Sequence, residues 1–170
     1  MLNQYKTLQM KTNIIQGDII KLSKKGYFDV IVNPCNCQHN MGAGLALQIA
    51  TQFPEAKQAD DNFVNPSMGD FSWAKILSLD LTVYNLYSQF WYGKPYGHRY
   101  ALDSQIYNFD TQKNRYRAIK RGLNKINKLC AGKMVGVPKI GCGLAGGNWN
   151  VVMPIIEEEL SDCLLTIVLK

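Results

Sequence analysis

The sequence predicts an α/β layered fold in a single domain, and three observations carry that expectation. Short apolar runs of strand type alternate with helical periodicities along the whole chain. Two junctions between a strand and the next helix are rich in glycine: NPCNCQHNMGAGLA at residues 33–46 and PKIGCGLAGGNW at residues 138–149. No linker divides the 170 residues, of which 46% are hydrophobic, so the chain has material for one full core and is short for two.

The elements follow in order. Asn13–Gln16 and Asp29–Asn33 read as short buried strands, the second running into a polar turn. Gly44–Phe53 reads as a helix that Pro54 stops, and Pro54–Asp61 restarts it. Phe71–Leu79 and Thr82–Ser88 are rich in β-branched and aromatic residues and read as neighbouring strands. The loop QFWYGKPYGHRYALD, residues 89–103, is too aromatic for a mere linker. Within Thr111–Cys130, Tyr116, Ile119, Leu123, Ile126 and Cys130 recur every three or four residues, the spacing of one helix face. Met134–Ile140 is a strand entering the second glycine loop, Asn148–Leu160 a helix, and Leu164–Leu169 a closing strand. Strands separated by helices imply much parallel pairing.

Composition narrows the partners. No stretch approaches the ~18 to 20 apolar residues of a membrane span, so no membrane is expected. The opening MLNQYKTLQMK has no apolar core of a secretory signal, and a cytoplasmic location is expected. Five cysteines (35, 37, 130, 142, 163) make no CxxC pair. Cys35 and Cys37 flank one residue, a poor zinc spacing that only His39 and His98 could complete, so reduced thiols and no metal are expected. The net charge of +6 is uneven: Lys113 to Lys133 holds eight Lys or Arg and no acid, whereas Glu157, Glu158 and Glu159 lie together. Such a stripe is a solvated helix face, a guide for a small polyanion or a nucleic-acid contact, the last not favoured. Charge alone does not choose.

Ligands of α/β folds collect where strands end and helices begin. Glycines there let main-chain amides approach an anion that a Cβ would block, and the following helix adds its positive end. Gly141, Gly143 and Gly146 stand as G-x-G-x-x-G, but only one helix and one strand follow, with no later acid for a ribose hydroxyl. The first loop has Leu47 where a third glycine would stand, and neither loop leads into the Lys-Ser/Thr pair of a P-loop. A diphosphate gripped between the two loops on another scaffold fits both.

Gly17-Asp18-Ile19, Val32-Asn33-Pro34-Cys35-Asn36, Met41-Gly42-Ala43-Gly44-Leu45-Ala46 and Pro138-Lys139-Ile140-Gly141-Cys142-Gly143-Leu144 together resemble the macro domain family in order and spacing, over nearly the whole chain. The resemblance implies a three-layer α/β/α sandwich around a mixed sheet, with a cleft for ADP-ribose or ADP-ribose 1''-phosphate and no cofactor. It implies that Asp18 accepts a hydrogen bond from the adenine amino group, with the Ile19 backbone beside it, and that Asn36 lies near the distal ribose. Gly42, Ala43, Gly44 and Leu45 would bracket the diphosphate and distal ribose with Gly141, Cys142, Gly143 and Leu144; Asn33 and Ile140 complete the expected binding set. Each has a plainer reading: Asp18 as a helix cap, Asn33 and Asn36 as turn residues, Ile19 and Ile140 as core.

The chain looks closest to the branch that holds ADP-ribose 1''-phosphate phosphatases and terminal ADP-ribose protein glycohydrolases. The glycohydrolases depend on a lysine at the end of the central strand and an acid after IGCGL; here those places hold Gln89 and Ala145. An amide forms no Schiff base and a methyl takes no proton, so phosphatase chemistry is the expectation, with a non-catalytic binding module, or an ADP-ribosyl hydrolase acting without that pair, as the alternative. Asn36, His39 and Asp80 are the candidate catalytic side chains, with Cys142 read as packed rather than nucleophilic. Phe90, Trp91, Tyr92, Tyr96 and Tyr100 offer a wall for the base or a cover for the distal ribose, or else a small satellite core, and His98 and Arg99 could reach a terminal phosphate.

Overall fold

A computed structural model describes residues 12–95 and 109–170. Its centre is a six-stranded sheet of β1 (Asn13–Gln16), β2 (Val30–Asn36), β3 (Phe71–Ile76), β4 (Leu81–Gln89), β5 (Met134–Val137) and β6 (Leu164–Leu169). The strand order is β1-β6-β5-β2-β4-β3. Every neighbouring pair is parallel except β3, which runs antiparallel to β4 at the edge, so the sheet is mixed.

Helices cover both faces. On one side lie α1 (Ile19–Lys24), α2 (Gly44–Gln52) and α3 (Pro54–Asn62), which pack Ile20, Ile49, Phe53 and Ala56 against Ile31 and Val83. On the other lie α4 (Gln112–Cys130) and α5 (Trp149–Glu159), which pack Ile119, Leu123, Val152 and Ile156 against Val30, Val32, Leu86 and Val135. Alternation along a strand divides its residues between the faces: Val30 and Val32 join one core and Ile31 the other. The expected three-layer α/β/α sandwich is therefore the architecture. No helix among the described residues is long and apolar enough to cross a membrane.

Boundaries move where local chemistry requires it. The expected strand to Ile140 ends at Val137 because Pro138 has no N–H to continue the ladder. The run expected as strand to Leu79 breaks after Ile76 into a 3-10 turn over Leu77–Leu79. The helix α1 shows no periodicity in the sequence, since six residues are too few to display one, and only the plainer reading of Asp18 as a cap points to it. Arg115, expected on the solvated basic face, is instead buried.

Pairing around β2 shapes the molecule's cleft. β2 pairs with β4 along its whole length but with β5 only at Val30 and Ile31. Beyond Ile31 it has one hydrogen-bonded neighbour, which is the setting in which a sheet tolerates Pro34. The two strands separate there, and the chain leaves them toward opposite faces, β2 into α2 and β5 into α5. That is the topological switch point of a parallel sheet, where ligand crevices form.

Candidate functional site

Both glycine loops leave the carboxyl ends of these adjacent strands. In the first, Met41 is buried beside Cys35, Cys37 and Tyr87 and anchors the loop, while Gly42, Ala43 and Gly44 are exposed. Gly44 sits at φ +57, a conformation that disfavours a side chain. The first turn of α2 has no side-chain cap, and the amides of Gly44, Leu45 and Ala46 meet no acceptor among the described residues. Oriented N–H groups at a helix start favour an anion.

The second loop is knotted by its own backbone. Gly147 N donates to Gly141 O at 2.8 Å and Gly146 N to Gly143 O at 3.0 Å. A Cβ on Gly147 would come within 2.4 Å of that Gly141 oxygen, so the turn admits only glycine there. The amides of Gly141, Gly143, Leu144 and Ala145 meet no acceptor among the described residues. The Tyr116 hydroxyl accepts from Asn148 N at 2.8 Å and ties the loop's exit to α4. The Ile140 side chain is wholly buried in the core, so only its backbone borders the cleft.

Asp18 caps α1. Its Oδ1 accepts from Ile20 N at 3.0 Å and Lys21 N at 3.1 Å, which leaves Oδ2 for another donor; Lys170 Nζ lies 3.9 Å from it. The Lys21 amide, opposed by partial burial and aided by the Ile20 amide, holds the carboxyl below its usual range, so it is ionised at neutral pH. Ile19 is 5% exposed, and its amide meets no acceptor among the described residues.

Two expectations, Asn33 and Asp80, need correction, and two more candidates, Asn36 and His39, keep only part of their hydrogen-bonding capacity free. Asn33 is 0% exposed and cannot touch a ligand: it faces Asn85 across β2 and β4, its Nδ2 donating to Asn85 Oδ1 at 3.0 Å, while its Oδ1 meets no partner among the described residues. Asn85 continues the network to Ala56 O at 2.8 Å and Ser72 Oγ at 3.0 Å. Asn36 serves as the turn residue that shapes the first loop, accepting from Gln38 N and Asn40 N and donating to Asn40 O at 2.8 Å, which leaves one Nδ2 hydrogen for another acceptor. His39 is not a free imidazole: at φ 56 its Nδ1 is bonded to buried Asp60 at 3.0 Å, and Asp60 also accepts from Tyr87 OH at 2.9 Å. Only Nε2 remains for chemistry. Asp80 precedes β4, at the amino-terminal end of the parallel strands, where it is exposed and paired with Lys75. The cleft is at the other end.

Two side chains on or against the chain after β4 carry no local signal in the sequence. The stem of Lys94 lies over Gly146, where a Cβ would come within 3.2 Å of Lys94 Cγ, and this brings a cation beside the second loop. Asp110 accepts from Trp91 N at 3.0 Å and binds Arg115 through both oxygens, which ties the chain after β4 to the start of α4. Gln89 ends β4 opposite Asn36, and Ala145 is buried. Phe90 packs edge-on to Phe109 and Trp91 stacks on Tyr92. Tyr96, His98, Arg99 and Tyr100 lie outside the described residues. Burial pushes the Cys142 thiol up despite nearby Lys139, which keeps it protonated at neutral pH.

No family model matches the sequence. An uncharacterized 17.5 kDa protein from the tk-vs intergenic region of Enterobacteria phage T4 is 29% identical over 167 residues, 94% of this chain and 96% of the phage protein. The ADP-ribose 1''-phosphate phosphatase of Saccharomyces cerevisiae strain YJM789 is 26% identical over 172 residues, 90% of this chain and 95% of its own. Among solved structures, the macrodomain of Thermus aquaticus DarG superposes with a TM-score of 0.66 at 18% identity, covering 94% of this chain and 97% of that one. Thermosipho africanus DarTG in complex with ADP-ribose gives 0.69 at 20% identity, covering 95% of this chain and 42% of that one. Strand order and these likenesses agree: the chain has the fold of the macrodomain structures and resembles the macro domain family.

Proposed function

We propose that this protein binds ADP-ribose 1''-phosphate between its two glycine loops and hydrolyses the terminal phosphate, giving ADP-ribose and inorganic phosphate. One observation carries the reading: loops leaving adjacent strands at the switch point, with at least seven main-chain amides (of Gly44, Leu45, Ala46, Gly141, Gly143, Leu144 and Ala145) lacking an acceptor among the described residues. The yeast relative's activity and the neighbour bound to ADP-ribose support the same ligand class. Asp18 Oδ2 takes the adenine amino group, the loops cradle the diphosphate, and Lys94 offsets charge at the second loop. Water attacks the terminal phosphorus, the bond from phosphorus to the 1'' oxygen breaks, and that oxygen takes a proton. The donors steady the charge that develops on the phosphoryl oxygens.

A second reading, a binding module without turnover, is favoured by one feature: the candidate acid-base side chains are tethered or remote, as with His39 and Asp80. Five unpaired cysteines suit a reducing compartment for either role. Calorimetry with ADP-ribose, followed by inorganic phosphate release from ADP-ribose 1''-phosphate, separates them. Binding with release supports the phosphatase, binding without release the module, and no binding removes both.

A further inference from the structure

A second cavity, of about 470 Å³, lies apart from the glycine cleft, on the far side of β4. Its walls come from the segment entering β3, from the chain after β4 and from α4, and they include Met68, Phe90, Phe109, Asn114, Arg117 and Arg121. The glycine cleft sits between β5 and β2, so the two sites use different strand ends.

The cavity is built around cations. Lys113, Arg117 and Arg121 stand four residues apart on one exposed ridge of α4, and none is paired with a carboxylate among the described residues. Their neighbours Lys120 and Lys125 are paired, with Glu158 and Asp70. Like charges at this spacing oppose the helix, and no carboxylate among the described residues relieves them. Arg121 is also held in place. Its guanidinium donates to Met68 O and lies across Gly69, at φ +89, where a Cβ would come within 2.7 Å of it. Beside these cations Phe109 is 41% exposed, set edge-on to Phe90 at 4.9 Å.

Guanidinium groups beside an exposed aromatic face suit a phosphate next to a base. The basic ridge from Lys113 to Lys128 runs about 22 Å along the helix, longer than one nucleotide. A duplex keeps its bases stacked inside, out of reach of Phe109. We propose that this surface binds single-stranded nucleic acid, one base stacking on Phe109 while successive phosphates follow Lys113, Arg117 and Arg121. The site is independent of the ligand in the glycine cleft.

Fluorescence anisotropy with a labelled single strand of about 12 nucleotides, titrated from about 50 mM salt upward, tests the proposal. Exchanging both arginines (R117Q with R121Q) is expected to weaken binding about tenfold or more and to lower the salt slope by about 1.4, while the protein stays folded. F109A is expected to weaken binding without changing the slope. Saturating ADP-ribose is expected to leave the strand bound. No binding at the lowest salt overturns the proposal, as does equal affinity for duplex or a double variant within about twofold of the parent. Displacement by ADP-ribose, or unchanged affinity in F109A, overturns it equally.

Discussion

Asp110 and Arg115 form a buried, two-pronged ion pair: Oδ1 meets Nε at 2.6 Å and Oδ2 meets Nη2 at 2.7 Å, with side chains 5% and 2% exposed. Arg115 Nη1 reaches Gly93 O at 2.6 Å, and Asp110 takes the Trp91 amide. The pair fastens the chain leaving β4 to the first turns of α4. Asp110→Asn leaves a buried guanidinium without its charge partner, and a loss of about 3–5 kcal/mol in urea unfolding is expected. A loss below about 1 kcal/mol would mean the fastening is dispensable.

Asp18 has two duties on two oxygens, and its replacement should separate them. Asp18→Ala removes the α1 cap, costing about 0.5–2 kcal/mol of stability. It should also weaken ADP-ribose far more than ribose 5-phosphate, which lacks adenine. Equal losses on both ligands in calorimetry would remove the adenine role. The depressed carboxyl fixes the sign of the pH effect: its cap contribution is present above the unfolded value and is lost as pH falls through the folded one.

Gly143 and Gly147 predict opposite outcomes within one loop. A Cβ on Gly143 meets nothing within 4 Å, so Gly143→Val should keep its melting temperature and lose ADP-ribose binding by filling the cleft. Gly147→Ala drives a methyl into Gly141 O and should lower the melting temperature itself. Normal ADP-ribose binding by a folded Gly143→Val protein would show that the second loop is not the cradle.

Cys142 separates a packed thiol from a nucleophile. Its carrier loop borders the cleft, but burial keeps the thiol protonated. Cys142→Ser should retain phosphate release within about threefold, because no covalent step passes through sulfur. Complete loss of release with intact ADP-ribose binding would argue for a thiophosphate intermediate.

The sequence by itself determined the alternation of elements and the two glycine junctions, because period and backbone freedom are local properties. Asn13–Gln16 and Leu164–Leu169 matched their strands in extent, although the first, expected to be buried, lies at the sheet edge with Ile14 exposed, and Thr111 and Asn148 cap the helices they were expected to open. Tertiary structure alone decided which polar residues face inward. Asn33 meets Asn85 52 positions away, His39 meets Asp60 21 positions away, and Lys94 reaches Gly146 only after folding. A buried polar side chain needs a partner, and where that partner is distant, as for Asn33 and Asp60, no local spacing announces it.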